Sequence, residues 1–155
     1  MSGWTDVRAL LPGLRGPRVH VVAAADETAL RSRLSGAGFD LLTVAGRAIT
    51  NEGTLLQEMA RAFALPEGFG DNWDALADAL GDLAGRPDRR LALLWVDADA
   101  SLAADLQALL SAVLLLDRTA ADLAEEHEGS RQLEIFLLGS GAGFPDPADP
   151  SSAAI

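Results

Sequence analysis

Four aspartates in one short segment carry the chemistry this sequence is best equipped to do. In Leu65 to Leu83, LPEGFGDNWDALADALGDL, Asp71, Asp74, Asp78 and Asp82 recur at helical intervals. At 100° per residue they fall on one side of a helix, while Trp73, Leu76, Leu80 and Leu83 gather on the other. Such a row of carboxylates can hold the cationic groups of a partner through charge-assisted hydrogen bonds. Capping accounts for part of it: Asp71 suits the N-cap and Asp74 the N3 position, where the helix dipole favours acids. Asp78 and Asp82 lie past the first turn and gain nothing from it. Aspartate is a poor helix former, and like charges at i,i+4 cost roughly 0.2–0.5 kcal/mol per pair. The stripe is either a solvated face or an anionic binding surface.

Other groupings offer less. Asp97-Ala98-Asp99 follows an apolar run, the arrangement that opens haloacid-dehalogenase-type phosphatases, where one aspartate attacks and magnesium sits between oxygens. Those enzymes also need a lysine, and this chain has none; 56 residues remain after Asp99, too few for the rest of such a site. Strand-end and helix-cap roles suit Asp97 and Asp99 better than a magnesium-dependent phosphatase. Gly139-Ser140-Gly141-Ala142-Gly143 imitates a phosphate loop, but Phe144-Pro145 follows where a helix N-terminus would be required. His127 lies among glutamates without a ligand at i+3 or i+4 on its own face, and reads as a solvated helix end. His20 lies in an apolar run and reads as an edge or core residue. Without cysteine, lysine or a histidine beside a nucleophile, the parts for covalent catalysis are missing. The expectation is a protein that is not an enzyme and needs no cofactor or metal.

Charge sharpens that expectation. The chain of 155 residues carries 23 acids against 12 basic residues, all arginine, for a net charge of −11. Residues 1–65 hold six acids and seven arginines, whereas residues 66–128 hold fourteen acids and four arginines. A field this negative disfavours direct contact with nucleic acid and steers a basic partner towards the middle of the chain. An apolar fraction of 49% is enough for one ordered domain. No apolar run reaches the 18 or so residues of a membrane span, the N-terminus lacks a signal-like segment, and cytoplasmic location is the default expectation.

The elements that must position these groups alternate. Val19 to Ala24 reads as a buried strand, and Asp26 should cap a helix to about Ser35, ended by Gly36 and Gly38. Phe39 to Val44 is a second strand, Gly46 a turn, and Asn51 the cap of a helix to about Phe63, with Leu55, Leu56, Met59 and Phe63 inward. After the acidic helix, stopped by Gly85 and Pro87, Leu91 to Val96 is the most apolar strand and suits the centre of a parallel sheet. Ser101 should cap one long helix to about His127, with a bend near Asp117 to Thr119. Leu133 to Leu138 is the last strand. The first 18 residues read as irregular, with room for a short helix from Asp6 to Leu11, and the Gly/Pro/Asp/Ser tail after Gly139 as disordered. The class is α/β with a small, mostly parallel sheet.

In this order, the segment Leu65 to Leu80 resembles the signature of the barstar family of ribonuclease inhibitors: Pro66-Glu67, Gly70, Asn72, Asp74-Ala75-Leu76 and Asp78 stand at matching spacing. The similarity covers roughly Phe39 to Gly139. It implies a barstar-like domain over 39–139, an N-terminal strand–helix extension over 1–38 like that of actinobacterial members, and a tail over 140–155. It further implies one-to-one binding of a basic ribonuclease or toxin, whose active site the loop and acidic helix would plug. Carried over by position, Asp74 and Asp78 would be the principal anionic contacts, and Gly70 and Asn72 would shape the loop; Asp82, from the same acidic row, is a further partner-binding candidate. Gly68 and Ala77 depart from the family, whose best-known member has tyrosine and tryptophan there. Phe69 is the nearest replacement for those aromatics, unless it packs beneath the loop. A further family acid on the following helix has Asp117, Asp122 and Glu125 as candidates. The alternative is the same fold used as an immunity or regulatory module for a different basic protein.

Overall fold

A computed structural model describes residues 18–65, 72–84, 90–126 and 131–148. Four strands, β1 (Val19–Ala23), β2 (Asp40–Ala45), β3 (Arg90–Val96) and β4 (Gln132–Gly139), form one sheet in the order β1-β4-β3-β2. All three pairings are parallel, so the α/β class holds and the sheet is parallel throughout. The helices are α1 (Glu27–Gly36), α2 (Glu52–Ala62), α3 (Trp73–Ala84), α4 (Ala98–Ala104) and α5 (Leu106–Glu126).

Handedness explains which face each helix covers. The chain steps β2 to β3 to β4 in one direction across the sheet, but β1 to β2 crosses the other way, from edge to edge. Right-handed crossovers then place α1 on the face opposite α2–α5. The packing agrees. Leu30 and Leu34 of α1 meet Val22, Ala92, Leu94, Phe136 and Leu138 on one face. On the other, Leu91, Leu93, Trp95, Leu133, Ile135 and Leu137 meet the apolar rows of α2, α3 and α5. Both faces of β3 and β4 are covered, which is why these strands are almost uniformly apolar. The first strand therefore shares a sheet with the segment that resembles a known family, paired with β4 from Val19 against Ile135 to Ala23 against Gly139.

Three helix starts differ from the sequence reading, each for a local reason. Asp26 occupies the position before α1 but makes no side-chain cap, because it ends a 3-10 turn over Ala24–Asp26. Asn72, not Asp71, caps α3: its side-chain oxygen accepts from the Ala75 N–H at 2.8 Å, which puts Asp74 at N2. The long helix from Ser101 is two helices. Asp105 leaves helical geometry (φ −157°, ψ 91°) and its carboxylate accepts from the Ala108 N–H at 3.0 Å, starting α5 afresh. Ser101 is buried inside α4, donating to the Gly46 carbonyl and accepting from the Trp95 indole. From Asp105 onward α5 is continuous past Asp117 and Thr119. Asn51 caps α2 as expected, in a reciprocal pair with Thr54.

Two glycines permit close approaches. A Cβ at Gly46 would lie 2.3 Å from the Asp97 carbonyl oxygen, so only glycine fits where the turn after β2 meets the end of β3. Gly38 ends the α1 region in left-handed geometry (φ 90°). After β4, residues 140–148 continue in turns, with Phe144 against Gly139. The short helix expected over Asp6 to Leu11 and the end of the tail lie outside the described residues.

Candidate partner-binding site

The site begins with how α3 is held. Leu76, Ala79 and Leu80 are buried, and Leu76 and Leu80 pack into the larger core, so this row fixes the helix's rotation. The opposite row then has to face outward, and Asp74, Asp78 and Asp82 are all exposed. None of the three pairs with a cation among the described residues, in contrast to Glu27, Asp97 and Asp117, which pair with Arg31, Arg47 and Arg18. Asn72 is exposed at the cap and Ala77 half-buried on the flank. Gly68, Phe69, Gly70 and Asp71 lie outside the described residues, as does the side chain of Leu83.

The start of α3 is pinned sideways. The half-buried Trp73 donates its indole N–H to Glu52 at the start of α2. Helix α2 is itself tied to the sheet through Glu58, which accepts from the Ala45 N–H at 2.5 Å and from Arg61, while Arg61 donates to the Thr43 carbonyl. Burial pushes the Glu58 carboxyl up, but the Arg61 guanidinium and the Ala45 N–H outweigh it and hold the group below the usual range. The starts of α2, α3 and α5 thus meet around an open cleft of about 160 Å³ lined by Glu52, Trp73, Asp105, Gln107, Ala108 and Ser111. Sequence reasoning found the acidic row but missed this cleft, since Glu52, Trp73 and Asp105 are distant in sequence and Asp105 falls inside what reads as one long helix.

The remaining candidates fall elsewhere. Asp97 lies in left-handed geometry (φ 49°) at the end of β3 and pairs with Arg47 at 3.1 Å; Asp99 sits in the first turn of α4. Both are the strand-end and helix-start acids that their position suggested. Among the described residues no three metal-binding side chains come together. Asp117, a candidate for the further acidic contact, is engaged by Arg18 at the start of β1, while Asp122 and Glu125 lie along α5; His127 lies outside the described residues. His20 is fully buried: its Nε2 lies 2.9 Å from a Glu134 carboxylate oxygen, and its ring stacks on Phe136. Burial raises the Glu134 carboxyl above its ordinary range, against the opposing pull of His20, Gln132 and Arg18. The partner of His20 was readable in part, because a glutamate inside an apolar strand requires one.

The fold and the site together define a small α/β protein with an acidic helix on its surface whose three aspartates have no cation partner among the described residues. Compared with protein families, residues 39–135 match the family described as Barstar (barnase inhibitor), well over half of the chain. The chain belongs to this family, whose members are inhibitors rather than enzymes. Comparison with curated proteins gave no match. No helix among the described residues is long and apolar enough to cross a membrane.

Proposed function

We propose that this protein is a cytoplasmic inhibitor that binds a basic ribonuclease one-to-one and blocks its active site with α3 and the loop before it. The observation that carries this reading is the row Asp74, Asp78 and Asp82, held outward by the packing of the opposite row and left unpaired among the described residues. A ribonuclease active site must present cations to RNA phosphate. Carboxylates set at helical spacing compete for the same cations with charge-assisted hydrogen bonds. One carboxylate can dominate such an interface; barstar itself is the standing example, and the size of the effect there belongs to that protein alone. Gly70 and Asn72 would shape the approach, with Asn72 already engaged as the cap.

The test is to isolate the protein that binds this chain in its own cells and assay it for RNA cleavage with and without the inhibitor. Cleavage silenced at equimolar ratio supports the reading; a partner without nuclease activity favours an immunity or regulatory role towards another basic protein. Ala77, small and half-buried on α3, gives that second reading its footing, because family aromatics are absent there and at Gly68. Weak binding to barnase is therefore expected. Gly68→Tyr combined with Ala77→Trp should strengthen it if the docking geometry is shared, and leave the native pairing unchanged or weaker.

A further inference from the structure

Among the described residues the exposed large apolar side chains are Val21, Leu106, Leu110 and Leu114. Three of them follow one another at i,i+4 along α5, with 53%, 51% and 67% of their surfaces exposed. A single exposed leucine asks for no explanation, but three in one row form a ridge about 12 Å long on a helix whose core row is already filled by Ala108, Ala112, Leu116 and Leu123. The ridge ends where Arg118 takes the next i+4 position.

Its placement ties it to α3. Gln107 and Ser111 line the cleft beside Trp73. Residues three and four apart are neighbours on a helix, so Leu110 adjoins Gln107, and Leu114 adjoins both Leu110 and Ser111. Across the cleft, Trp73 is followed directly by Asp74. Helix α3 thus meets the cleft through Trp73, and the ridge adjoins the same cleft through Gln107 and Ser111, while the α3 carboxylates project outward, away from its lining. Among the described side chains of α3, the carboxylates are accompanied on the accessible surface by small residues, Ala75, Ala77 and Gly81, and by the half-buried Trp73 at the cleft. Carboxylates can steer a partner, but an interface also needs a desolvated apolar centre.

We infer that Leu106, Leu110 and Leu114 form that centre, receiving apolar side chains of the same basic partner that α3 engages. The inference rests on the function proposed above. A second copy of the chain is the poorer occupant: it would bring two molecules of net charge −11 together at their acidic helices, whereas a basic protein is drawn there. A ridge of this length is also far short of the roughly 800 Å² per partner of a stable interface, so it works as part of a surface that α3 completes.

The experiment places a photoreactive benzophenone amino acid at position 110 or, separately, at position 82 in the full chain, expressed in its own host. The captured protein is then purified and titrated against wild type, Leu110→Ser/Leu114→Ser and Asp74→Asn/Asp78→Asn. Both positions should capture the same basic protein. The leucine variant should bind it at least about tenfold more weakly, with an unfolding midpoint only slightly below wild type, since more than half of each side chain is already exposed and the change to serine costs helix propensity alone. Capture from position 82 alone, with wild-type affinity for the leucine variant, overturns the ridge and leaves the inhibitor reading intact. Capture of a second copy from position 110 overturns it in favour of self-association. A partner captured at position 110 that binds Asp74→Asn/Asp78→Asn undiminished removes the acidic helix, and with it both proposals. No adduct from either position does the same.

Discussion

Asp78 shows how one residue's place decides what its removal should do. It lies past the first turn of α3, exposed and unpaired among the described residues, so the free protein gains little from its charge. Asp78→Ala should leave unfolding within about 0.5 kcal/mol of wild type. Partner binding should fall by about 2–5 kcal/mol, the usual cost of truncating one side of a buried interfacial charge pair. Matched urea unfolding and titration calorimetry check it, and equal affinity would take this helix out of the interface. The buried carboxylates behave differently, and in opposite directions. Glu58 titrates low in the folded protein, so its contribution is complete above the ordinary glutamate range and is lost as pH falls through its lowered value. Glu134 titrates high because it is buried, so its contribution is complete below the ordinary range and is lost as pH rises towards its raised value. Unfolding free energies from about pH 3 to about pH 8 should therefore show Glu58→Gln losing the acid-side dependence. Glu134→Gln should gain on wild type as pH rises. A constant gap between wild type and Glu134→Gln across that range would mean the His20 contact fully offsets the burial.

At the scale of elements, the sequence was most legible where a periodic apolar row coincided with a strong stop or cap. Asn51 with Thr54, the row Leu55, Leu56, Met59 and Phe63, and the apolar run of β3 all behave as the pattern requires. The break between α4 and α5 was not legible. The apolar pattern runs straight through Ala103-Ala104-Asp105-Leu106, and a lone aspartate in such a stretch reads as a solvated helix residue. What decides it is tertiary: Ser101 is drawn into the core between Trp95 and Gly46, and the chain turns at Asp105 to lay α5 across the sheet. The α3 cap was misplaced for a related reason, since Asp71 and Asn72 are both good caps and only the bond to Ala75 distinguishes them. The cleft beside Trp73 could not be read at all, because its walls come from three helices that sequence does not place together. Asp105→Ala is the test of the break. It should cost about 1 kcal/mol in stability through the lost cap. It should also weaken partner binding if the start of α5 belongs to the interface. Unchanged stability would mean the turn is held by packing alone.

The whole molecule joins a scaffold covered on both faces to a strongly one-sided charge distribution. Helix α1 covers the sheet face opposite α2–α5, so the first strand and helix serve the core, while the acidic row of α3 stays exposed. Of the net charge of −11, residues 66–128 carry fourteen acids against four arginines, and the three exposed aspartates of α3 lie within that stretch. A basic partner approaching in solution meets this field before it meets any side chain, so the field acts on encounter more than on the docked state. Salt removes it: the Debye length shrinks from about 10 Å at 0.1 M to about 3 Å at 1 M, less than the distance over which an approaching protein is oriented. The association rate should fall steeply, by about tenfold or more, across that range. Dissociation should change much less, because charge pairs closed off from solvent at the proposed interface would be poorly screened and apolar contacts are not screened at all. Stopped-flow association and dissociation measured separately at each salt concentration distinguish the two. An association rate flat from about 0.1 to about 1 M would mean that shape and the apolar ridge govern encounter, and that the acidic helix acts only after contact.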